Sequence, residues 1–234
     1  MISHHSTLNI KHSTLNTQHS TSLNSQLSTL NIKRSIVLGL RRHSDKMSLL
    51  HVYTRSEGRL LLQVYGAHGK HKVRAAYQPL SIVELTCSTQ PTRQIPTLVT
   101  IDPLYLPENV YTDIRRQTIA LFSTEMLLLT LTHPMQDEQM YDFIVDFVHE
   151  LNDNPAPENL HISFMIRLAE LLGIGTPELT DTPFADGIID NFSSVALSRH
   201  ARQDILHQLC NYYLTHIESF HMPKSLDILT EVFN

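Results

Sequence analysis

The spacing of apolar residues changes once along this chain, near Pro107, and that change limits the folds open to it. Before it, short segments rich in β-branched and aromatic residues alternate with Gly, Pro, Asp and Ser. Glu57-Gly58 predicts a tight hairpin, because glycine supplies the positive φ that such a turn needs. Five strands in about seventy residues indicate a small antiparallel barrel or sandwich. They are predicted at 35–38, 48–53, 59–65, 81–85 and 97–101.

After Pro107 the apolar residues recur at helical spacing. Ser198 and Ser225 are placed as N-caps of the last two helices, since a side-chain oxygen there can accept the first free N–H groups. The expected class is therefore α+β, with a β-domain over 33–106 and an all-α helical domain over 107–234. The predicted helices are 112–131, 138–151, 158–172, 199–217 and 225–233.

The first 32 residues repeat Ser-Thr-Leu-Asn imperfectly and hold few large apolar side chains. Such a segment cannot bury enough apolar surface to offset the entropy of ordering, so 1–32 is expected to be a disordered leader, translated from a misplaced start. The alternative is a metal-binding tract. Its ligands would be His4, His5, His12 and His19.

The net charge of −5 is unevenly distributed. From Lys33 to Arg93 there are eleven Lys and Arg and three acidic residues, a net +8, whereas residues 94–234 carry six basic and twenty acidic residues, a net −14. This segregation predicts two modules with different partners. The basic module suits a polyanion, whose phosphates it would neutralise.

The segment Gly66 to Arg74 is the strongest local signal. Its two glycines allow a tight exposed turn, and Lys70, Lys72 and Arg74 would project to one side if the stretch is extended. A row of cations suits a phosphate backbone, although a solvated loop is the plain alternative. Other cations could join this row across the sheet: Arg34, Arg41, Arg42, Lys46, Arg55 and Arg59. Three tyrosines could stack on unpaired bases or equally pack in a core: Tyr53, Tyr65 and Tyr77.

No motif for phosphate-loop, serine-hydrolase or zinc-protease chemistry occurs, so we expect no enzyme and no cofactor. Two distant cysteines give neither a disulfide framework nor zinc spacing, and Cys210 lies in an apolar stripe that predicts a core thiol. With no long apolar run, a cytoplasmic protein without a membrane partner is expected. The carboxylates of the helical half read as a solvated surface, for example Asp137, Glu138, Asp142, Asp146 and Glu150.

Several segments resemble the bacterial recombination mediator family RecO. The N-terminal ones are 53–59, the turn 66–74 and 78–85, and the first long helix contributes 118–122 with Glu125. The most specific match is the end of the chain, with Tyr212, Tyr213, His216, Phe220 and 224–233. The resemblance covers roughly Lys33 to Phe233 and leaves the repeat leader out.

The resemblance implies an OB-fold barrel followed by a helical domain, and a nucleoid-associated protein that binds single- and double-stranded DNA and anneals complementary strands. It also implies help for RecA in displacing the single-stranded-DNA-binding protein, with RecR and the acidic, apolar C-terminal tail of that binding protein as partners. The DNA contacts would fall on Lys70, Lys72 and Arg74, with Arg41, Arg42 and Arg59. Arg115 and Arg116 could receive the acidic tail, or be merely solvated.

Many members of the family carry a four-cysteine zinc module after the third helix, whereas Gly175 to Ser198 holds neither Cys nor His, so no zinc is expected. With only six lysines in the chain, a second interpretation is a protein–protein scaffold whose barrel no longer binds DNA. A third, a histidine-dependent hydrolase, has no motif behind it.

Overall fold

A computed structural model describes residues 29–66, 71–90, 92–175, 177, 179 and 196–233, with the side chains of 71–73 left aside. The five predicted strands are present and form a closed barrel in the order β1-β2-β3-β5-β4. This OB-type barrel and the helices that follow confirm the predicted α+β class. The strands are β1 Thr29–Arg42, β2 Met47–Thr54, β3 Gly58–Tyr65, β4 Ile82–Thr89 and β5 Thr97–Tyr105.

Strand β1 begins at Thr29, four residues before the predicted domain boundary at Lys33. Its first half pairs with β4, for example Leu30 with Ser88 and Ile32 with Thr86. The second half pairs with β2, and a bulge between Val37 and Gly39 lets the strand bend from one partner to the other. The end of the expected disordered leader is therefore strand, because pairing with β4 satisfies its backbone groups.

The β2–β3 turn confirms the predicted hairpin. Thr54 pairs with Gly58, whose φ of +71° is the left-handed conformation that a three-residue loop needs at this point. A Cβ on Gly58 would lie 2.0 Å from the carbonyl oxygen of Met135, in the loop that follows the first long helix. Glycine is required here twice, for the turn and for this contact between barrel and helices.

The segment after β3 is not extended from His71 onward, because α1 spans His71–Ala76, so Lys72 and Arg74 do not form an extended row of cations. This helix follows β3 at the point where the barrel closes: among the described residues, β3 and β5 pair at Gln63 and Thr97 alone. Ala76 is fully buried in the barrel core and helps to fill this weak seam. Lys70 lies outside the described residues.

The helical half is built from α2 Glu108–Thr112, α3 Ile114–Thr130, α4 Glu138–Asp153, α5 Leu160–Leu171, α6 Arg199–His216 and α7 Ser225–Val232. The predicted 112–131 helix begins instead at Ile114, because the Asp113 carboxylate caps it by accepting from the N–H of Arg115 at 2.9 Å. Ser198 caps α6 as predicted, accepting from Ala201 N–H at 3.2 Å. The prediction for Ser225 is wrong, since it is the first residue of α7 and its hydroxyl makes no cap bond.

The barrel and the helices share a core. Ile36 and Leu38 of β1 and Tyr53 of β2 point away from the barrel interior and pack with the buried faces of the helices. The barrel interior is a separate cluster around Val37, Leu50 and Leu62. Cys210 is fully buried among the helices, as predicted, and burial raises the pKa of its thiol to about 12.

Glu125 of α3 performs the capping role expected of Ser225. Its carboxylate accepts from the backbone N–H groups of Lys224 and Ser225 at 2.9 and 2.8 Å and from the Ser225 hydroxyl. These are the first free N–H donors of α7, so α3 holds the C-terminal helix by its N-terminus. Burial by itself would raise the pKa of Glu125, but these hydrogen bonds and the nearby His221 outweigh burial and lower it.

The lowered pKa predicts a pH-dependent contribution to stability. A carboxylate whose folded-state pKa is depressed stabilises the fold above its unfolded pKa, and the contribution is lost as the pH falls through the folded value. Glu125→Gln should lower the free energy of unfolding in urea by about 1–2 kcal/mol at pH 7. The difference from the unmodified chain should shrink as the pH falls below about 4. Glu218→Gln is the matched control, since Glu218 is exposed and has no side-chain partner among the described residues. Equal losses in the two variants would contradict this account of Glu125.

Candidate nucleic-acid interface

One side of the barrel is left uncovered by the helices. Leu40, Leu50 and Leu62 face the barrel core, so their neighbours along β1, β2 and β3 face outward. Arg41 pairs with Leu49, and Leu49 pairs with Gln63, which gives one outward row across three strands. We call this surface the β1–β3 face. Its members are Arg41, Leu49, His51, Leu61, Gln63 and Tyr65.

Tyr65 is the aromatic residue that this face exposes. It ends β3, is 54% exposed, and its hydroxyl lies 3.5 Å from Oε1 of Gln63. Tyr53 is 2% exposed within the shared core, and Tyr77 is half-buried against the barrel core. Of the three predicted stacking residues, Tyr65 is therefore the one placed to meet a base.

Two loops border the β1–β3 face. The β1–β2 loop, residues 43–46, is exposed along its whole length and contributes Lys46. The β4–β5 loop lies at the opposite border, where the N–H of Gln63 donates to the carbonyl of Pro96 at 2.9 Å and Arg93 lies 3.4 Å from the Thr97 hydroxyl. In OB folds, this strand face and these two loops are the usual oligonucleotide site.

His51 of the β1–β3 face lies near Arg59 and Arg41. Burial is the main cause that lowers the pKa of its imidazole, and the charges of Arg59 and Arg41 lower it further. The ring is therefore neutral at pH 7. Its Nδ1 is buried and has no hydrogen-bond partner among the described residues. His51 and Gln63 are not among the site residues predicted from the sequence, although strict alternation along β2 and β3 places both outward.

Arg41 and Arg42 do not act together. Arg42 follows Arg41 on the strand, so it points to the other side, and it pairs with Asp45 at 2.8 Å. Arg41 makes no ion pair or hydrogen bond within the described residues. Lys33 is also occupied, by Glu57. Arg41 is thus the sequence-predicted cation that the strand register presents on the β1–β3 face.

Arg59, the sixth predicted DNA contact, is turned toward the helices. Its Nη1 donates to the carbonyl oxygens of Leu128 and Leu131 at 2.9 and 2.8 Å, which are free acceptors at the end of α3. Arg55 beside it pairs with Asp142 of α4 at 2.9 Å. Both residues join barrel to helices, so the charge available to a polyanion is smaller than the +8 of the sequence.

A groove runs along the junction of barrel and helices on another side. Arg74 and Gln78 line one wall, and Leu121 of α3 and Ile228 of α7 line the other. It comprises two adjoining cavities of about 670 and 660 Å³. We call it the junction groove. Leu121 and Ile228 are 44% and 46% exposed, and Lys224 lies at one end. Arg74 is exposed and belongs to this groove, while Lys72 lies within α1.

The two arginines proposed for the acidic tail differ. Arg116 is largely buried and donates to the carbonyl oxygens of Leu151 and Asn154, the free acceptors at the end of α4. Arg115 is half-exposed and pairs with Glu158 at 2.6 Å. Arg116 therefore serves the helix packing, and an incoming carboxylate would have to displace Glu158 to reach Arg115.

Within the described ranges, no group of three His, Cys, Asp or Glu is close enough to hold a metal ion. No zinc was expected because Gly175 to Ser198 holds neither Cys nor His, and most of that stretch lies outside those ranges. Among the described helices, none is long and apolar enough to cross a membrane.

The closed five-stranded barrel, with the exposed ring of Tyr65 and the cation Arg41 on one strand face, is of the OB type, a fold class that includes many oligonucleotide-binding domains. Comparison with known proteins gives the family. Residues 30–106 match the family described as Recombination protein O N terminal, and 111–182 match Recombination protein O C terminal. The chain belongs to the RecO family of DNA repair and recombination proteins, which are mediators and not enzymes.

Three relatives illustrate the similarity, each named DNA repair protein RecO. The protein of Porphyromonas gingivalis is 26% identical over 87% of this chain and 99% of its own length. That of Flavobacterium johnsoniae is 26% identical over 86% and 98%, and that of Phocaeicola vulgatus 23% identical over 85% and 97%. These matches confirm the family that the sequence resembles.

Replacing Arg59 and replacing Arg41, the two arginines near His51, should change the free energy of unfolding by different amounts. Arg59→Gln leaves two carbonyl groups at the end of α3 without their partner, so the free energy of unfolding should fall by about 1–3 kcal/mol. Arg41→Gln removes an exposed side chain without a described partner, and the change should stay within about 0.5 kcal/mol. Urea unfolding at pH 7 measures both. Similar values for the two variants would contradict the division of roles.

Proposed function

We propose that this chain is a recombination mediator that binds DNA on the β1–β3 face and, with RecR, helps to load RecA onto DNA coated with the single-stranded-DNA-binding protein. The observation that carries the proposal is the outward row Arg41, Leu49 and Gln63 beside the exposed ring of Tyr65. Cations placed beside an aromatic surface suit a single strand, which offers phosphates and unpaired bases at once.

The arrangement favours binding without sequence preference. Arg41, Lys46 and Arg93 are flexible cations that can follow a phosphate backbone, while Tyr65 can stack on any base because every base has a π-face. A base stacked on Tyr65 keeps its hydrogen-bonding edge free for a complementary strand. This supports the expected annealing activity, and the phosphate contacts alone would serve duplex DNA as well.

The segment predicted to bind DNA follows Tyr65 in the sequence. It begins at Gly66, directly after Tyr65, and ends at the exposed Arg74. We keep Lys70, Lys72 and Arg74 as proposed DNA contacts; Arg74 lines the junction groove, so a strand would meet it only beyond the β1–β3 face. Arg42 is proposed only as a border contact, and Arg59 is left to the domain junction. DNA bound in this way would associate the chain with the nucleoid in the cytoplasm.

A salt titration of binding to fluorescent oligo(dT) tests the proposal. For single strands, the logarithm of affinity falls with the logarithm of salt concentration by about 0.7 per neutralised phosphate. The triple variant Arg41→Gln, Lys46→Gln, Arg93→Gln should therefore bind more weakly, with a slope shallower by about 2. A second variant with Lys70, Lys72 and Arg74 changed to Ala should also weaken binding.

The control is Arg115→Gln, Arg167→Gln, Arg199→Gln, which removes the same charge from the helical half. It should keep the unmodified slope, because those residues lie away from the β1–β3 face. If the unmodified chain does not bind at low salt, the scaffold interpretation replaces the mediator. If the control loses as much affinity as the barrel variant, binding follows net charge and the proposed face is wrong.

We propose that the acidic, apolar tail of the single-stranded-DNA-binding protein binds in the junction groove and not at Arg115 and Arg116. Apolar residues would contact Leu121 and Ile228, and carboxylates would meet Arg74 and Lys224. A labelled peptide with acidic residues before an apolar C-terminus should bind less tightly to Arg74→Gln, Lys224→Gln than to Arg115→Gln. The reverse order would return the tail to Arg115 and Arg116.

A further inference from the structure

His51 is a titratable residue of the β1–β3 face that none of the proposed DNA contacts uses. It lies on β2, the middle strand of the three, and pairs with Gly39 of β1 and Leu61 of β3. Side chains at paired positions point to the same side of a sheet. The His51 ring therefore stands on the outer surface, in the row next to the one that Arg41 begins.

The ring of His51 can be reached through one of its two nitrogens. On the β1 side, a Cβ on Gly39 would have no heavy atom within 4 Å, so the space beside the ring over that strand is open. Within the described part of the chain, both ring nitrogens of His161 are enclosed without a partner, whereas for His51 this holds for Nδ1 alone. Nε2 of His51 makes no hydrogen bond to a described residue, so it is the nitrogen that a ligand can meet.

The His51 ring has no counter-charge in the free protein. After burial, the causes that lower the pKa of its imidazole are the charges of Arg59 on β3 and Arg41 on β1. Both charges are positive, and among the described residues none from the helical half acts on the ring. The six outward members of the β1–β3 face include no Asp or Glu. A negative charge beside Nε2 would therefore have to come from a ligand.

A phosphate group matches what the protonated ring lacks. Imidazolium carries an N–H donor on each nitrogen, and the enclosed Nδ1 of His51 cannot gain an acceptor from a ligand. A phosphate oxygen next to Nε2 would supply an acceptor and a negative charge together. Hydrogen bonds between two charged groups are roughly twice as strong as neutral ones. A bound phosphate would thus favour the charged ring over the neutral one.

We propose that Nε2 of His51 donates to a phosphate of the bound strand, and that DNA binding is coupled to the uptake of one proton by this ring. The inference rests on the DNA-binding role proposed for the β1–β3 face. It adds a pH-dependent contact to the permanent charge of Arg41 beside it. The strand is held more firmly where the pH is lower, and released more readily where it is higher.

The direction of the pH dependence follows from linkage. An opposite charge next to a histidine raises its pKa, so the bound state holds a proton at pH values where the free ring has lost it. Affinity should therefore be lowest well above the bound-state pKa of His51. It should increase as the pH falls through that value, and level off below the free-state pKa.

Fluorescence anisotropy with labelled oligo(dT) at pH 5.5 and pH 8 tests the proposal. The chain has 15 histidines, so the effect is assigned by comparison with His51→Gln, which cannot take up a proton. The ratio of the affinity at pH 5.5 to that at pH 8 should be at least about 3-fold larger in the unmodified chain than in this variant. The salt slope at pH 5.5 should be steeper in the unmodified chain by about 0.7, the value for one phosphate contact.

His207→Gln is the matched control. His207 is exposed on α6, so its replacement removes a titratable ring from the helical half and should leave both the affinity ratio and the salt slope unchanged. NMR of the histidine-labelled chain gives a second measurement that needs no variant. The pKa of His51 should be higher with oligo(dT) bound than without it.

The proposal is overturned if His51→Gln keeps the full affinity ratio, if His207→Gln loses as much of it, or if oligo(dT) does not raise the pKa of His51. Failure of the unmodified chain to bind oligo(dT) at either pH would instead contradict the DNA-binding role itself. The two failures are thus distinguishable.

Discussion

The packing of one barrel wall onto the helices fixes everything else in this molecule. Ile36 and Leu38 lie on the outside of β1, yet both are almost fully buried because the helices cover them. Burying each such side chain stabilises the fold by about 1.5–3 kcal/mol relative to leaving it exposed. Loss of this contact would therefore destabilise the fold. Since that part of the outer surface is occupied, a ligand of the barrel is left with the remaining β1–β3 face.

Charged side chains also bind the helix ends, both between barrel and helices and within the helical half. Three side chains reach across the fold to satisfy free backbone groups: Arg59 at the end of α3, Arg116 at the end of α4, and Glu125 at the start of α7. These charges resemble surface or binding residues in the sequence, but each one completes hydrogen bonds that the helices cannot make for themselves. Part of the charge of the chain therefore serves the structure, and the remaining exposed cations are the ones available to a polyanion.

The sequence predicted the fold well because the fold depends on local patterns. Short segments rich in β-branched and aromatic residues between turn signals predicted the five strands, Glu57-Gly58 predicted the hairpin, and the apolar stripe of α6 placed Cys210 in the core. It predicted the site less well, since residue type alone does not tell where a side chain points. Arg41 and Arg42 are adjacent residues of the same type, but they point to opposite sides because side chains alternate along a strand. Arg59 was predicted to contact DNA because its actual partners, two carbonyl groups, lie some seventy residues later in the chain and cannot be inferred from local sequence. The Ser225 cap failed for the same reason, because its competitor Glu125 lies a hundred residues earlier.

Photocrosslinking tests the central claim, that DNA lies on the β1–β3 face, most directly. Oligo(dT) with 5-iodouracil at single positions reacts with aromatic side chains that stack on the base, and peptide mapping then identifies the residue. We expect the principal adduct at Tyr65, with none at Tyr53 or Tyr77. Adducts confined to the helical domain, with Tyr65 unmodified, would contradict the account.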